Sequence, residues 1–241
     1  PVTTSNFSAG RDVAIVGFAQ TKHVRSADTL SEVELIQPVI AEAMDQVGLD
    51  HHGFDFYCSG SSDYLAGQAF SFVMTLDAIG AWPPVAESHV EMDGAWALYE
   101  AYLKIRSGHA DTALVYGYGK SSPGDLPRVL SRMCEPYYTA PLWPSSVELA
   151  ALQARACIEA GVTSEAEMAE VAVRDRRSAQ DNPNAQLAWD RSAADVLAGE
   201  YLANPLRRDD CAPITDGGAA IVLASPERAA ELRARPAWVT G

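Results

Sequence analysis

The stretch "HVEMDGAWALYEAYLKIRSGHADTALVYGYG", residues 89–119, sets side chains able to move protons at close spacing. His89 and Glu91 alternate on an extended run. Asp93 follows two residues later, just before Gly94 and a segment of helical periodicity. Imidazole and carboxylate are acid/base groups whose surroundings can tune them toward neutral pH. Tyr116 and Tyr118 alternate in the same way at the end of "TALVYGYG" and add phenol donors. What the stretch lacks is a nucleophile. A helix start after a strand is a common seat for one, and here Glu91, Met92, Asp93 and Gly94 offer acid, with no Cys, Ser or Lys.

Each of these residues also has a plainer reading. Glu91 serves either as a base or neutral donor, or as a solvated, paired group at a strand end. Asp93 is explained by capping the helix that follows. His89 either acts in catalysis or faces an interface or loop. Tyr116 and Tyr118 either line a ligand or pack in core and rim. Tyr137, Tyr138 and Trp143, in "CEPYYTAPLWP", either wall a pocket for a flat apolar ligand or fill the core of their own loop. Cys58 and Cys211 read as small buried apolar residues. The four cysteines form no CxxC pair and none sits beside a His at ligand spacing, so no metal is expected. Asp216-Gly217-Gly218 reads as a tight turn.

The elements that must position these groups follow from periodicity. Residues 1–11 are polar and read as a loose arm. "DVAIVGFAQT" (12–21) is a buried strand. Leu30, Val33, Leu35, Ile36, Val39, Ile40 and Ala43 then recur at helical spacing, with Ser31 and Glu34 as a capping box and Gly48 as a stop. Strands are predicted at 54–60, 85–91 and 112–119, with helices at 67–80 and 94–107. This alternation predicts an α/β fold with a parallel or mixed sheet, whose ligands sit beyond the C-terminal strand ends, where the helix opening near Glu91 lies. The segment 120–146, rich in Pro, Ser and aromatics, reads as an ordered excursion followed by helices at 146–160 and 164–180. An apolar strand at 219–224, a helix and the start of a further strand close the chain.

The sequence has 241 residues, 48% of them hydrophobic, and a formal net charge of −14. That balance can bury a core, while the acidity disfavours nucleic acid or an anionic membrane as partner. No apolar run reaches the length of a membrane span, and a cytoplasmic location with reduced thiols is the expectation.

The order of parts resembles the thiolase superfamily. The resemblance is carried by "VAIVGFAQT", by "GAWALYEAYLKIRSGHADTALVYGYGK" and by "NPLRRDDCAPITDGGAAIVLAS". "CEPYYTAPLWPSSVELAALQARA" looks most like the sterol-carrier and lipid-transfer branch. The resemblance implies an α/β thiolase-like fold, here the N-terminal βαβαβαββ half with an inserted loop domain. It divides the chain into 1–119, an insertion at 120–203, a return at 204–232, and 233–241 as the start of a C-terminal half lying beyond this sequence. Matching Gly94 to the last Gly of the family's Cys-x-x-Gly motif puts Glu91 where a thiolase carries its nucleophilic Cys. Thiolysis needs a thiolate that forms a thioester, which a carboxylate cannot do.

The whole sequence is most similar to a group that lacks this Cys, the steroid side-chain-cleaving aldolases of actinobacterial sterol degradation. Membership would imply retro-aldol cleavage of a 17-hydroxy steroid-20-carboxyl-CoA ester to a 17-keto steroid and propionyl-CoA. Catalytic candidates are then Glu91, Asp93 and His89, and substrate-binding candidates Tyr116, Tyr118, Tyr137, Tyr138 and Trp143. No cofactor is expected, because the CoA ester belongs to the substrate. Backbone N–H groups at the helix start are expected to help stabilise an oxyanion. A homodimer and a small OB-fold partner protein are implied as well. The competing expectation is a non-catalytic lipid- or acyl-CoA-binding protein, or a scaffold subunit.

Overall fold

The computed structural model describes residues 10–67 and 69–240. The chain divides into two compact units. The first takes the chain up to Thr21, Ala27–Lys120 and Asp216 onward. It contains β1 (Ala14–Gln20), α1 (Glu32–Asp45), β2 (Phe56–Ser61), the one-turn α2 (Asp63–Ala66), a 3₁₀ stretch Ser71–Ile79, β3 (Glu87–Glu91), α3 (Gly94–Arg106) and β4 (Thr112–Gly119). The second unit takes Lys22–Ser26 and Ser121–Thr215. It holds α4 (Leu126–Arg132), α5 (Ser146–Glu159), α6 (Glu165–Ser178), α7 (Ala193–Leu197) and the hairpin of β5 (Tyr201–Ala203) with β6 (Leu206–Arg207). The first unit then resumes with β7 (Gly217–Ala224), α8 (Pro226–Leu232) and β8 (Ala237–Trp238).

The first unit is built on a six-stranded mixed sheet of order β3-β2-β4-β7-β1-β8. Strands β3, β2 and β4 run parallel to one another, whereas β7 is antiparallel to both β4 and β1. Helix α1 packs on one face. Its Ser31–Glu34 capping box satisfies the helix start, and Leu35, Ile36, Val39, Ile40 and Ala43 form the buried stripe. They join Tyr57, Leu114, Tyr116 and Val222 in one apolar core. Helix α3 covers the other face through Ala97, Ala101 and Ile105, spaced four apart and fully buried. These pack with Cys58, Val115 and Leu223 in a second core.

Small residues let α3 begin hard against the sheet. A side chain at Gly60 would lie 2.2 Å from the Asp93 carbonyl oxygen, and one at Gly117 3.1 Å from Gly94 Cα. Gly217 and Gly218 lie inside β7, so the expected tight turn at Asp216 is a strand instead. The need for glycine there is one of space, because a Cβ at Gly218 would stand 2.6 Å from Ile36 Cδ1.

Three further expectations change. The helix expected at 67–80 is instead the 3₁₀ stretch beginning at Ser71, where Asp63 of the preceding α2 accepts hydrogen bonds from the Phe70 and Ser71 N–H groups. Phe70 is left-handed at the break (φ 57°). The second unit extends to Thr215, so 204–215 belong to it and the return to the first unit begins at Asp216, not at 204. The cause is the buried Arg207. Its guanidinium bonds the Glu165 carboxylate (2.7 Å), the Tyr201 hydroxyl (2.9 Å) and the Leu197 carbonyl (3.1 Å), and so ties the hairpin to α6 and α7. At the N-terminus, Arg11 donates to the Ile105 and Ala110 carbonyls, so the end of the expected loose arm is pinned; residues 1–9 lie outside the described residues. Ala237–Trp238 pairs with Ala14 and Ile15 at the sheet edge.

Candidate active site

The parallel strands β2, β3 and β4 end on the same side of the sheet, and their register sets the site. Ser59 lies opposite His89 on β3 and opposite Tyr116 on β4, while Ser61 lies opposite Glu91. Strand side chains alternate in direction. His89, Ser59 and Tyr116 therefore form one row on the α1 side, and Glu91, Ser61 and Tyr118 a second row nearer the strand ends. The 3₁₀ stretch lies over these rows, with Phe72 stacked on the His89 ring (4.6 Å between centroids).

The rows are joined by short polar contacts. Ser59 Oγ is 2.9 Å from His89 Nδ1, and Ser61 Oγ is 2.8 Å from Ser71 Oγ. The Tyr118 hydroxyl donates to the Ser71 carbonyl at 3.1 Å. Glu91 Oε1 accepts the Asp63 N–H at 2.8 Å, and Glu91 Oε2 stands 3.5 Å from His89 Nε2. Asp63 in turn accepts from the Phe70 (2.6 Å) and Ser71 (2.7 Å) N–H groups. Those hydrogen bonds, the one from Ser71 foremost, hold its carboxyl below the usual range.

Burial sorts the groups by task. The Tyr116 phenol is pushed up to about 12 by desolvation, against the hydroxyls of Thr75 and Ser59, which favour its ionised form. It is therefore a neutral donor at physiological pH. Burial raises Tyr118 as well. The His89 side chain is 12% exposed, whereas that of Glu91 is 51% exposed. Glu91 is the group of this set that most readily meets a bound molecule, and His89, Ser59 and Tyr116 stand behind it.

Four of the residues singled out from sequence, His89, Glu91, Tyr116 and Tyr118, thus share one face. Asp93 does not join them. Its Oδ1 accepts from the Ala95 (2.9 Å) and Trp96 (3.2 Å) N–H groups as the cap of α3. This corrects the expectation that those N–H groups are open to an oxyanion. Tyr137, Tyr138 and Trp143 belong to the second unit, and all three are exposed rather than packed into a loop core. Glu135 holds the Tyr137 and Tyr138 backbone by accepting both N–H groups. Sequence reasoning missed Ser59, Ser61, Asp63, Ser71 and Thr75. The signal was the run "YCSGSSD", where hydroxyls recur every second residue in a strand otherwise fit for burial.

Comparison with known proteins places this geometry. No protein-family model matches the chain. It is 30% identical over 228 residues to an acetyl-CoA acetyltransferase of Methanocaldococcus jannaschii, covering 92% of this chain and 57% of the relative. It is 27% identical over 236 residues to a 17-hydroxy-3-oxo-4-pregnene-20-carboxyl-CoA lyase of Mycobacterium tuberculosis, covering 92% and 60%. Among solved structures, the Ltp2-ChsH2(DUF35) aldolase superposes with a TM-score of 0.78 at 22% identity, over 97% of this chain and 61% of that one. The Bacillus anthracis acetyl-CoA acetyltransferase does so with a TM-score of 0.70 at 19% identity, over 92% and 68%. In fold the chain is thiolase-like, as these solved structures are. The chain spans about three fifths of the length of those curated relatives (57% and 60%).

Beside relatives named as acetyltransferases, the placement of the thiols is informative. Cys134, Cys157 and Cys211 lie in the second unit. Cys58 alone lies in the first, fully buried in the α3-side core, where burial foremost pushes its thiol up to about 12. A thiol so shifted is not ionised at neutral pH and does not serve as a nucleophile. Among the described residues, no helix is long and apolar enough to cross a membrane.

Proposed function

We propose that the protein cleaves a 17-hydroxy steroid-20-carboxyl-CoA ester by a retro-aldol reaction, giving a 17-keto steroid and propionyl-CoA. The observation that carries this reading is the pairing of a proton-handling site with no usable thiol beside it. Retro-aldol chemistry needs a base for the β-hydroxyl proton and a donor for the enolate, and no covalent acyl-enzyme. Glu91 takes the hydroxyl proton. The bond from the hydroxyl-bearing carbon to the thioester α-carbon breaks, and its electron pair becomes the enolate, which a proton then quenches as propionyl-CoA. The neutral phenol of Tyr116 is a donor behind the carboxylate, and Tyr118 and the His89 ring line the same face. Acetyl transfer, the activity named for the acetyltransferase relatives, is disfavoured because it would need a thiolate that the described residues do not offer here.

The reading carries further parts. The protein works in the cytoplasm as a homodimer with a small OB-fold partner, needs no resident cofactor for the cleavage itself, and binds neither nucleic acid nor membrane. The similarity to the pregnene-carboxyl-CoA lyase, and to a solved aldolase whose name includes a DUF35 component, supports the acyl-CoA substrate and the partner protein.

The test is direct. The protein, with and without the candidate OB-fold partner, is incubated with a 17-hydroxy steroid-20-carboxyl-CoA, and the products are separated by chromatography. Appearance of propionyl-CoA is expected. Its absence under both conditions, with partner binding intact, favours the scaffold or lipid-binding alternative.

A further inference from the structure

We propose that Asp63, His89 and Glu91 form a binding site for a divalent transition cation of the zinc class. One ring nitrogen and one oxygen from each carboxylate lie within 4.8 Å of one another. The feature that separates this set from an ordinary patch of surface acid is the imidazole. His89 Nε2 is enclosed and makes no hydrogen bond, and Glu91 Oε2 stands 3.5 Å from it. A buried ring nitrogen without a partner is costly, and a cation on its lone pair removes that cost.

The surroundings prepare all three ligands. Ser59 Oγ stands 2.9 Å from Nδ1, and in the tautomer with its proton on Nδ1 the ring donates to that hydroxyl and Nε2 presents its lone pair. The Phe70 and Ser71 N–H groups fix the Asp63 carboxylate, and the Asp63 N–H fixes Glu91. Each carboxylate oxygen has two lone pairs, so these bonds leave capacity for a metal. Two carboxylates with a neutral imidazole match a divalent charge, and such a set suits zinc better than the all-oxygen coordination of calcium or magnesium. Zinc ligand lengths put neighbouring donor atoms about 3.3 Å apart, so the set must contract by roughly 1.5 Å. The half-exposed Glu91 side chain can supply that movement. Three protein ligands leave one coordination position open.

This assignment shares Glu91 and His89 with the retro-aldol reading, and its test reads binding rather than turnover, so either reading can fail without the other. The metal-stripped full chain is titrated with ZnCl₂ by calorimetry, and a parallel sample with Co²⁺ followed by absorption. One equivalent of Zn²⁺ is expected, and Co²⁺ is expected to show ligand-field bands without thiolate charge transfer. His89→Ala and Glu91→Gln are each expected to weaken binding at least tenfold, and Ser59→Ala, which acts through His89, about tenfold. Circular dichroism checks each fold, and Asp63→Asn with Glu91→Gln carries the test should His89→Ala fail to fold. Absence of binding overturns the proposal. So does a thiolate band, which would move the metal to the cysteines, or an affinity unchanged by Glu91→Gln.

Discussion

Phe56, Cys58 and Gly60 point from β2 toward α3, whereas Tyr57, Ser59 and Ser61 point to the opposite face. The first set is apolar or lacks a side chain and fixes a distance, because α3 starts where only a glycine leaves room. The second set ends in hydroxyls and meets His89, Tyr116 and Ser71. One six-residue strand thus fixes the position of a helix with its even-numbered residues and builds a polar site with its odd-numbered ones. The two tasks are interleaved at a spacing of one residue, and substitutions at neighbouring positions should fail in different ways.

The largest effect is expected at Gly60. Gly60→Val drives a side chain into the Asp93 carbonyl and is expected to cost about 3 kcal/mol or more of stability, seen as a fall in the urea midpoint. A stable Gly60→Val protein would mean that the glycine contact does not set the position of α3. Glu91→Gln comes next. It is expected to lower kcat for propionyl-CoA release about 100-fold while changing stability by no more than roughly 0.5 kcal/mol. Wild-type turnover would return Glu91 to a structural role.

Tyr116→Phe has a smaller effect on stability, about 1 kcal/mol at neutral pH, and a distinctive pH signature. Its folded value of about 12 lies above the ordinary 10.0, so its contribution is complete below pH 10 and is lost as pH rises from 10 toward 12. The variant should show a flatter fall of stability across that window than wild type, in denaturant titrations at stepped pH. Tyr57, raised to about 12 by the same cause, keeps part of the slope in both proteins. The smallest effect is expected at Cys58. Cys58→Ala should cost about 1 kcal/mol and leave turnover at the wild-type level. Loss of turnover with the fold intact would give the thiol a role that its burial argues against.

The interleaving also explains what could be read in advance. Long-period features were legible. The Ser31–Glu34 box, the Leu35 to Ala43 stripe, the strand at 112–119 and the cap at Asp93 all rest on local chemistry and are present. His89, Glu91, Tyr116 and Tyr118 were marked by alternation, and alternation placed them on one face. Ser59 and Ser61 were passed over because a serine in a short apolar strand looks neutral until the neighbouring strands are in register. Asp63 depended on a chain reversal at Phe70 that helical periodicity hides. The boundary at Asp216 was missed because Arg207 reaches Glu165 across 42 residues of sequence, and no local pattern announces that contact.

Asp93 has one more consequence. By lodging its carboxylate on the Ala95 and Trp96 N–H groups, it gives α3 a counterion of its own, so that this pole of the helix exerts little pull on any anion outside. A single change to alanine would lift the counterion and expose two donors. In mutational distance, a helix start that ignores anions and one that attracts them are one codon apart on this scaffold.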